Sequence, residues 1–83
     1  MEYTPHGVCS QHIHVEVDDN GTIHNVQFTG GCSGNTQGVA SLVQGMKAED
    51  AIARLKGIRC GSKATSCPDQ LSRALEEAMK ETA

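Results

Sequence analysis

Four cysteines are the residues of this chain best placed to do chemistry. Cys9, Cys32, Cys60 and Cys67 are separated by 22, 27 and 6 residues. None of these gaps is the tight C-x₂₋₄-C pair of a zinc finger or ribbon, so placement carries more than spacing. Cys9 stands just before a strictly alternating stretch, Cys32 lies in a glycine-rich corner, and Cys60 and Cys67 lie on the segment leading into the last apolar, helix-periodic stretch. Cys32 and Cys67 each precede an expected helix start, where the positive end of the dipole favours thiolate over thiol. Thiolates are soft ligands that suit zinc, iron–sulfur or copper(I) centres. Together these features predict a shared site, zinc or iron–sulfur, with Cys9, Cys32, Cys60 and Cys67 as the three or four ligands. Two other readings stay open: small buried core residues, or two disulfides in any of three connectivities.

Histidine and aspartate add candidates. His6 stands three residues before Cys9 and can supply a fourth ligand. His12 and His14 lie two apart on the polar face of an expected strand and are expected as exposed surface residues. His24 has no partner that spacing suggests. Asp69, two residues after Cys67, is expected as a first-turn carboxylate on the helix dipole rather than a ligand.

The elements that must position these residues follow from periodicity. From His12 to Val17, Ile13, Val15 and Val17 alternate with His12, His14 and Glu16, the pattern of a half-buried strand. Asp18-Asp19-Asn20-Gly21 reads as a turn whose Asn-Gly pair suits positive φ. A second strand spans Thr22 to Thr29; the step of three from Ile23 to Val26 predicts a bulge near His24 and Asn25. The segment before Cys9 can add a short edge strand, limited by Pro5. After the corner Gly30-Gly31-Cys32-Ser33-Gly34-Asn35, a short helix is expected around Val39, Ala40, Leu42 and Val43, ending at Gly45. Ala48, Ala51, Ile52 and Leu55 form a helical stripe, with Glu49 and Asp50 in the first turn and Gly57 beyond the end. The last helix opens at Pro68, capped by Ser66 or Cys67, and carries Leu71, Ala74, Leu75, Ala78 and Met79. The expected fold class is α+β, with an antiparallel hairpin or three-stranded sheet at the N-terminus packed by three helices.

Composition bounds what such a fold can do. The chain has 83 residues, 37% hydrophobic, with one Tyr, one Phe and no Trp, which fits one domain over residues 1–83. At this size, roughly 70–80 residues, a core often needs a metal, a disulfide or a partner as a staple. The net charge of −3 and the scarcity of aromatics argue against nucleic acid as a partner, which asks for a basic patch and stacking rings. No run approaches the ~20 apolar residues of a membrane span, so no membrane partner is expected. The N-terminal MEYTPHGVCS does not read as a signal peptide. The expected compartment is the cytoplasm, where thiols stay reduced and clustered cysteines bind metal or do redox work. Nothing resembles a Ser–His–Asp set, a phosphate-binding loop or paired catalytic carboxylates, so independent catalysis is not expected.

Three motifs carry a resemblance. T-S-C-P-D-Q at 65–70, G-G-C-S-G-N at 30–35 and L-K-G-I-R-C-G at 55–61 resemble the TSCPD domain family, over about residues 2–78. Members of that family occur as short stand-alone proteins and at the C-terminus of adenosylcobalamin-dependent ribonucleotide reductases. The resemblance implies an accessory role beside a ribonucleotide reductase or another redox protein, in DNA-precursor synthesis, without the radical chemistry itself.

More distantly, G-V-C-S at 7–10, G-G-C at 30–32 and S-C-P-D-Q-L at 66–71 are similar in order to iron–sulfur assembly scaffolds of the NifU N-terminal type. That likeness implies Cys9, Cys32 and Cys67 as ligands. Gln11 stands where the scaffolds carry an aspartate, and Cys60 is additional; both departures suit a site that holds its metal more permanently. Besides the metal-binding accessory domain, two functions therefore remain: an iron–sulfur assembly scaffold, and a thiol–disulfide partner using Cys60 and Cys67. Oligomeric state is not readable from the sequence.

Overall fold

The alternation over His12–Val17 resolves as expected: Ile13 and Val15 are fully buried in the computed structural model, which describes residues 2–5, 10–30, 33–59 and 65–82. Strand β1 (Glu2–Tyr3) pairs antiparallel with β2 (Ser10–Val17), which pairs antiparallel with β3 (Ile23–Gly30), giving the sheet order β1-β2-β3. The short edge strand ends before Pro5, whose missing N–H cannot extend the ladder. Glu16 pairs with Asn25 and Val17 with Ile23, leaving His24 as the extra residue of the expected bulge. A second irregularity lies between Ser10 and His12, where no break in the apolar pattern signals it.

The turn differs in kind from the one expected for Asn-Gly. Among its residues only Gly21 has positive φ (+79°) and Asn20 does not. Gly21 N–H donates to the Asp18 carbonyl at 2.9 Å and Asp18 N–H to the Thr22 carbonyl at 3.0 Å. This is a turn closed by a glycine in the left-handed region, not one with both central residues there. Asp18 decides between them: its Oδ1 accepts from the N–H groups of Asn20 (2.9 Å) and Thr22 (3.0 Å), which fixes the turn from inside.

Helix α1 (Ser33–Val43) begins six residues ahead of Val39, so the expected corner at Ser33, Gly34 and Asn35 forms its first turn instead. Gly34 and Gly38 weaken helix propensity, but Thr36, Ala40 and Val43 are buried at helical spacing, and α1 packs on β3. Packing overrides propensity here. Helix α2 (Ala48–Leu55) follows the expected pattern, with Glu49 and Asp50 on its positive end and Gly57 at φ +87° beyond its last turn. Helix α3 (Cys67–Thr82) opens one residue before Pro68. α3 lies on β2 and α2 lies on α3.

One core joins the sheet to the helices. Its largest fully buried apolar side chains are Ile13, Ile23, Leu71, Leu75 and Val15. Ala48 and Ala51 of α2 and Ala74 and Ala78 of α3 are buried with them, small enough to let the two helices approach closely. The only two aromatics, Tyr3 and Phe28, sit partly buried at its margin. No helix of the described residues is long and apolar enough to cross a membrane.

Candidate functional site

The first turn of α3 is where the described structure concentrates its buried polar groups. Ser66 is buried; its Oγ accepts from Asp69 N–H at 3.2 Å and donates to the Ile58 carbonyl at 2.7 Å. Ser66 is thus the cap expected from the sequence, and it also ties the helix start to the chain leaving α2. In the usual capping box the acidic residue reaches back to the cap's own N–H. Asp69 instead accepts from Gly57 N–H at 2.7 Å, beyond the end of α2, from the Thr65 hydroxyl, and from Arg73 Nε at 3.5 Å. The Gly57 N–H is available because the glycine's positive φ turns the chain out of the helix. Its carboxyl is almost wholly out of solvent, with 3% of the side chain exposed.

Burial acts against the Asp69 charge, and the hydrogen bonds from Thr65 and Gly57 together with the Arg73 guanidinium outweigh it, holding the carboxyl below the usual aspartate value. The network runs further. Gln70 Nε2 donates to Thr65 Oγ1 at 3.0 Å and its Oε1 accepts from the Tyr3 hydroxyl at 3.3 Å. Hydrogen-bond donation therefore runs from Tyr3 through Gln70 and Thr65 to Asp69. Among the described residues no buried side-chain nitrogen or oxygen lacks a partner. Cys67, half-buried, is the residue in the middle of this frame. Four of its five neighbours in T-S-C-P-D-Q are polar, and at least three of those are spent on locking the turn that carries it.

Of the expected ligands, Cys67 is thus held at the first turn of α3, while Cys9, Cys32 and Cys60 lie outside the described residues, as does His6. The described residues bonded next to Cys9 and two before Cys32, Ser10 and Gly30, pair with each other at the open end of the hairpin. β1 runs from Glu2↔His14 to Tyr3↔Ile13, toward that same end. Among the described residues, no three of His, Cys, Asp and Glu are grouped to hold a metal ion.

His12 and His14 are partly exposed on the polar face, as expected, but they are not idle. His12 Nε2 and His14 Nδ1 (2.7 Å) both meet the Glu2 carboxylate across the β1–β2 pair. These bonds, His12 first, hold Glu2 below its usual value. His24 finds the partner that spacing did not suggest, Asp18 Oδ2 at 2.7 Å. Thr65, Gln70 and Tyr3 take roles that no sequence spacing signals. The spacing S-x-x-D from Ser66 to Asp69 signals a cap, but nothing local signals a bond between positions 3 and 70.

The turn just described spells Thr65-Ser66-Cys67-Pro68-Asp69, and the family model for the TSCPD domain matches residues 1–79. No curated protein and no solved structure matches the chain. With a family match that takes in the sheet, α1, α2 and most of α3, this chain belongs to the TSCPD domain family.

Proposed function

We propose that this chain is an accessory domain of a ribonucleotide reductase and holds a zinc or iron–sulfur centre on its cysteines, Cys67 among them, without being catalytic alone. The observation that supports it is the frame around Cys67. A buried carboxylate, a buried cap and a buried amide fix one helix turn and leave a half-buried thiol at its start. A merely structural core cysteine needs no such frame, whereas a ligand needs its sulfur held in one place. The pairing of Ser10 with Gly30 fits the same reading, because Cys9 is bonded to one and Cys32 follows the other by two residues. The donor set suits either group: thiolate ligands fit zinc and iron–sulfur alike. Zinc would supply a fixed tetrahedral tie, and a cluster would add one-electron chemistry. The reductase part of the reading rests on the family, whose members also occur at the C-terminus of adenosylcobalamin-dependent ribonucleotide reductases.

Elemental analysis and absorption spectra of the chain purified without air test it. About one zinc or one cluster per chain, lost in Cys67→Ala, is the expected result. Metal far below one per chain, with circular dichroism unchanged by chelation, would overturn the metal-binding reading. A cluster that passes readily to an apo-acceptor would favour the scaffold function instead. Failure to co-sediment with a ribonucleotide reductase would overturn the partner.

A further inference from the structure

The charged residues of this chain are distributed unevenly. All 17 of them (7 Lys and Arg, 10 Asp and Glu) lie outside residues 20–46. That stretch holds β3 and α1, which pack on one another. β3 is also an edge of the sheet, with no further strand beside it among the described residues. At its start the edge is occupied: Ile23 N–H donates to the Met46 carbonyl at 2.9 Å, and the Ile23 carbonyl accepts from Gly45 N–H at 2.8 Å. From Val26 onward a groove of about 310 Å³ runs between the edge and the helix, lined by Val26, Gln27, Phe28 and Thr29 of β3 and by Thr36 and Ala40 of α1.

Edge strands are normally blunted by a charge, a proline or brevity. β3 is eight residues long, and its sequence Ile-His-Asn-Val-Gln-Phe-Thr-Gly contains no proline and no Lys, Arg, Asp or Glu. Its own bulge, at His24, lies near the end that the Gly45–Met46 segment already covers, and the other irregularity of its pairing with β2 lies at Thr29 and Gly30, beyond Val26–Phe28.

We propose that β3 pairs antiparallel with β3 of a second copy of this chain about a two-fold axis, forming a six-stranded sheet. Charge favours this occupant. Two copies each carrying −3 repel overall, and an isologous contact sets a surface against itself. The uncharged β3–α1 region is the surface on which self-contact brings no like charges together. Depletion of charge also marks the cores of protein interfaces. Side-chain direction fits as well. Alternate residues of an added strand enter the groove on the helix side of the sheet. In a symmetric pair the second copy's Phe28 is the residue on that face with surface left to contribute, since Val26 is 3% exposed and already packed in its own chain's core. Phe28 is the chain's one phenylalanine and is only partly buried in a single copy.

Sedimentation of the full chain in reducing buffer tests this independently of any metal. A dimer is expected. Gln27→Lys and Thr29→Lys, both at exposed positions of β3, should each raise the dimer dissociation constant by about tenfold or more with circular dichroism unchanged. Glu49→Lys, exposed on α2, should leave it as it was. A monomer at every concentration would overturn the proposal, as would a dimer indifferent to both β3 lysines or one abolished by reductant. A chain that stays monomeric yet takes up an extended peptide along β3 would replace the second copy with a foreign strand.

Discussion

Asp69 concentrates several stabilising contacts in one carboxylate. Its neighbours come from three places in the chain: Gly57 after α2, Thr65 before α3, and Arg73 one turn along. Replacement by asparagine keeps the size but presents an amide NH₂ where one oxygen now accepts. At neutral pH, Asp69→Asn should cost about 1–3 kcal/mol, read by urea unfolding. The pH dependence follows from the direction of the shift. The folded-state value lies below the unfolded one, so the charge stabilises the fold fully above the ordinary aspartate value of about 3.9. That contribution is lost as pH falls through the lowered folded value. Wild type should therefore lose stability below about pH 4 more steeply than Asp69→Asn does. Equal acid profiles for the two proteins would show that the carboxylate does not act this way.

At the scale of elements, glycines in different backbone states give opposite expectations. Gly38 lies exposed inside α1, and a Cβ added there meets nothing within 4 Å. Gly57 also has room for a Cβ, but its φ of +87° is the left-handed region that side chains resist. Gly38→Ala should thus stabilise by about 0.5–1 kcal/mol, and Gly57→Ala should destabilise by about 1–2 kcal/mol, both measured by thermal or urea unfolding. If both substitutions shift stability in the same direction, the contrast in backbone state is not what governs them.

Elements of this kind also show what the sequence makes legible. β2, α2 and α3 were readable because their apolar residues keep a strict period and their ends carry local signals: Gly57 after α2, Ser66 before α3. The start of α1 was not, because Gly34 and Gly38 argue against helix and only contact with β3 carries it. The same limit governs the site. Cys67 and its cap were legible, being local to one turn. The contacts from Asp69 to Gly57 and from Gln70 to Tyr3 span 12 and 67 residues, and only the folded chain brings those groups together.

For the whole molecule, the question raised by composition is how so small a core holds. Among the described residues the buried apolar set contains five alanines and no aromatic ring, and its largest fully buried members are Ile and Leu. At ~25 cal/mol per Å² of apolar area, alanine-rich packing contributes little per residue, so a small additional tie weighs heavily on net stability. The Thr65–Gln70 network supplies one tie, joining α3 to the end of α2 and, through Tyr3, to β1. Metal ligation would supply another, since a group bound only by the folded chain adds its binding free energy to folding. On the proposed function, the apo-chain should gain thermal stability on titration with zinc, or on cluster reconstitution, while Cys67→Ser gains much less. A melting temperature that rises equally in both would remove Cys67 from the ligand set. One that rises in neither would leave the polar network as the principal staple of the fold, and the frame around Cys67 would then serve packing rather than metal.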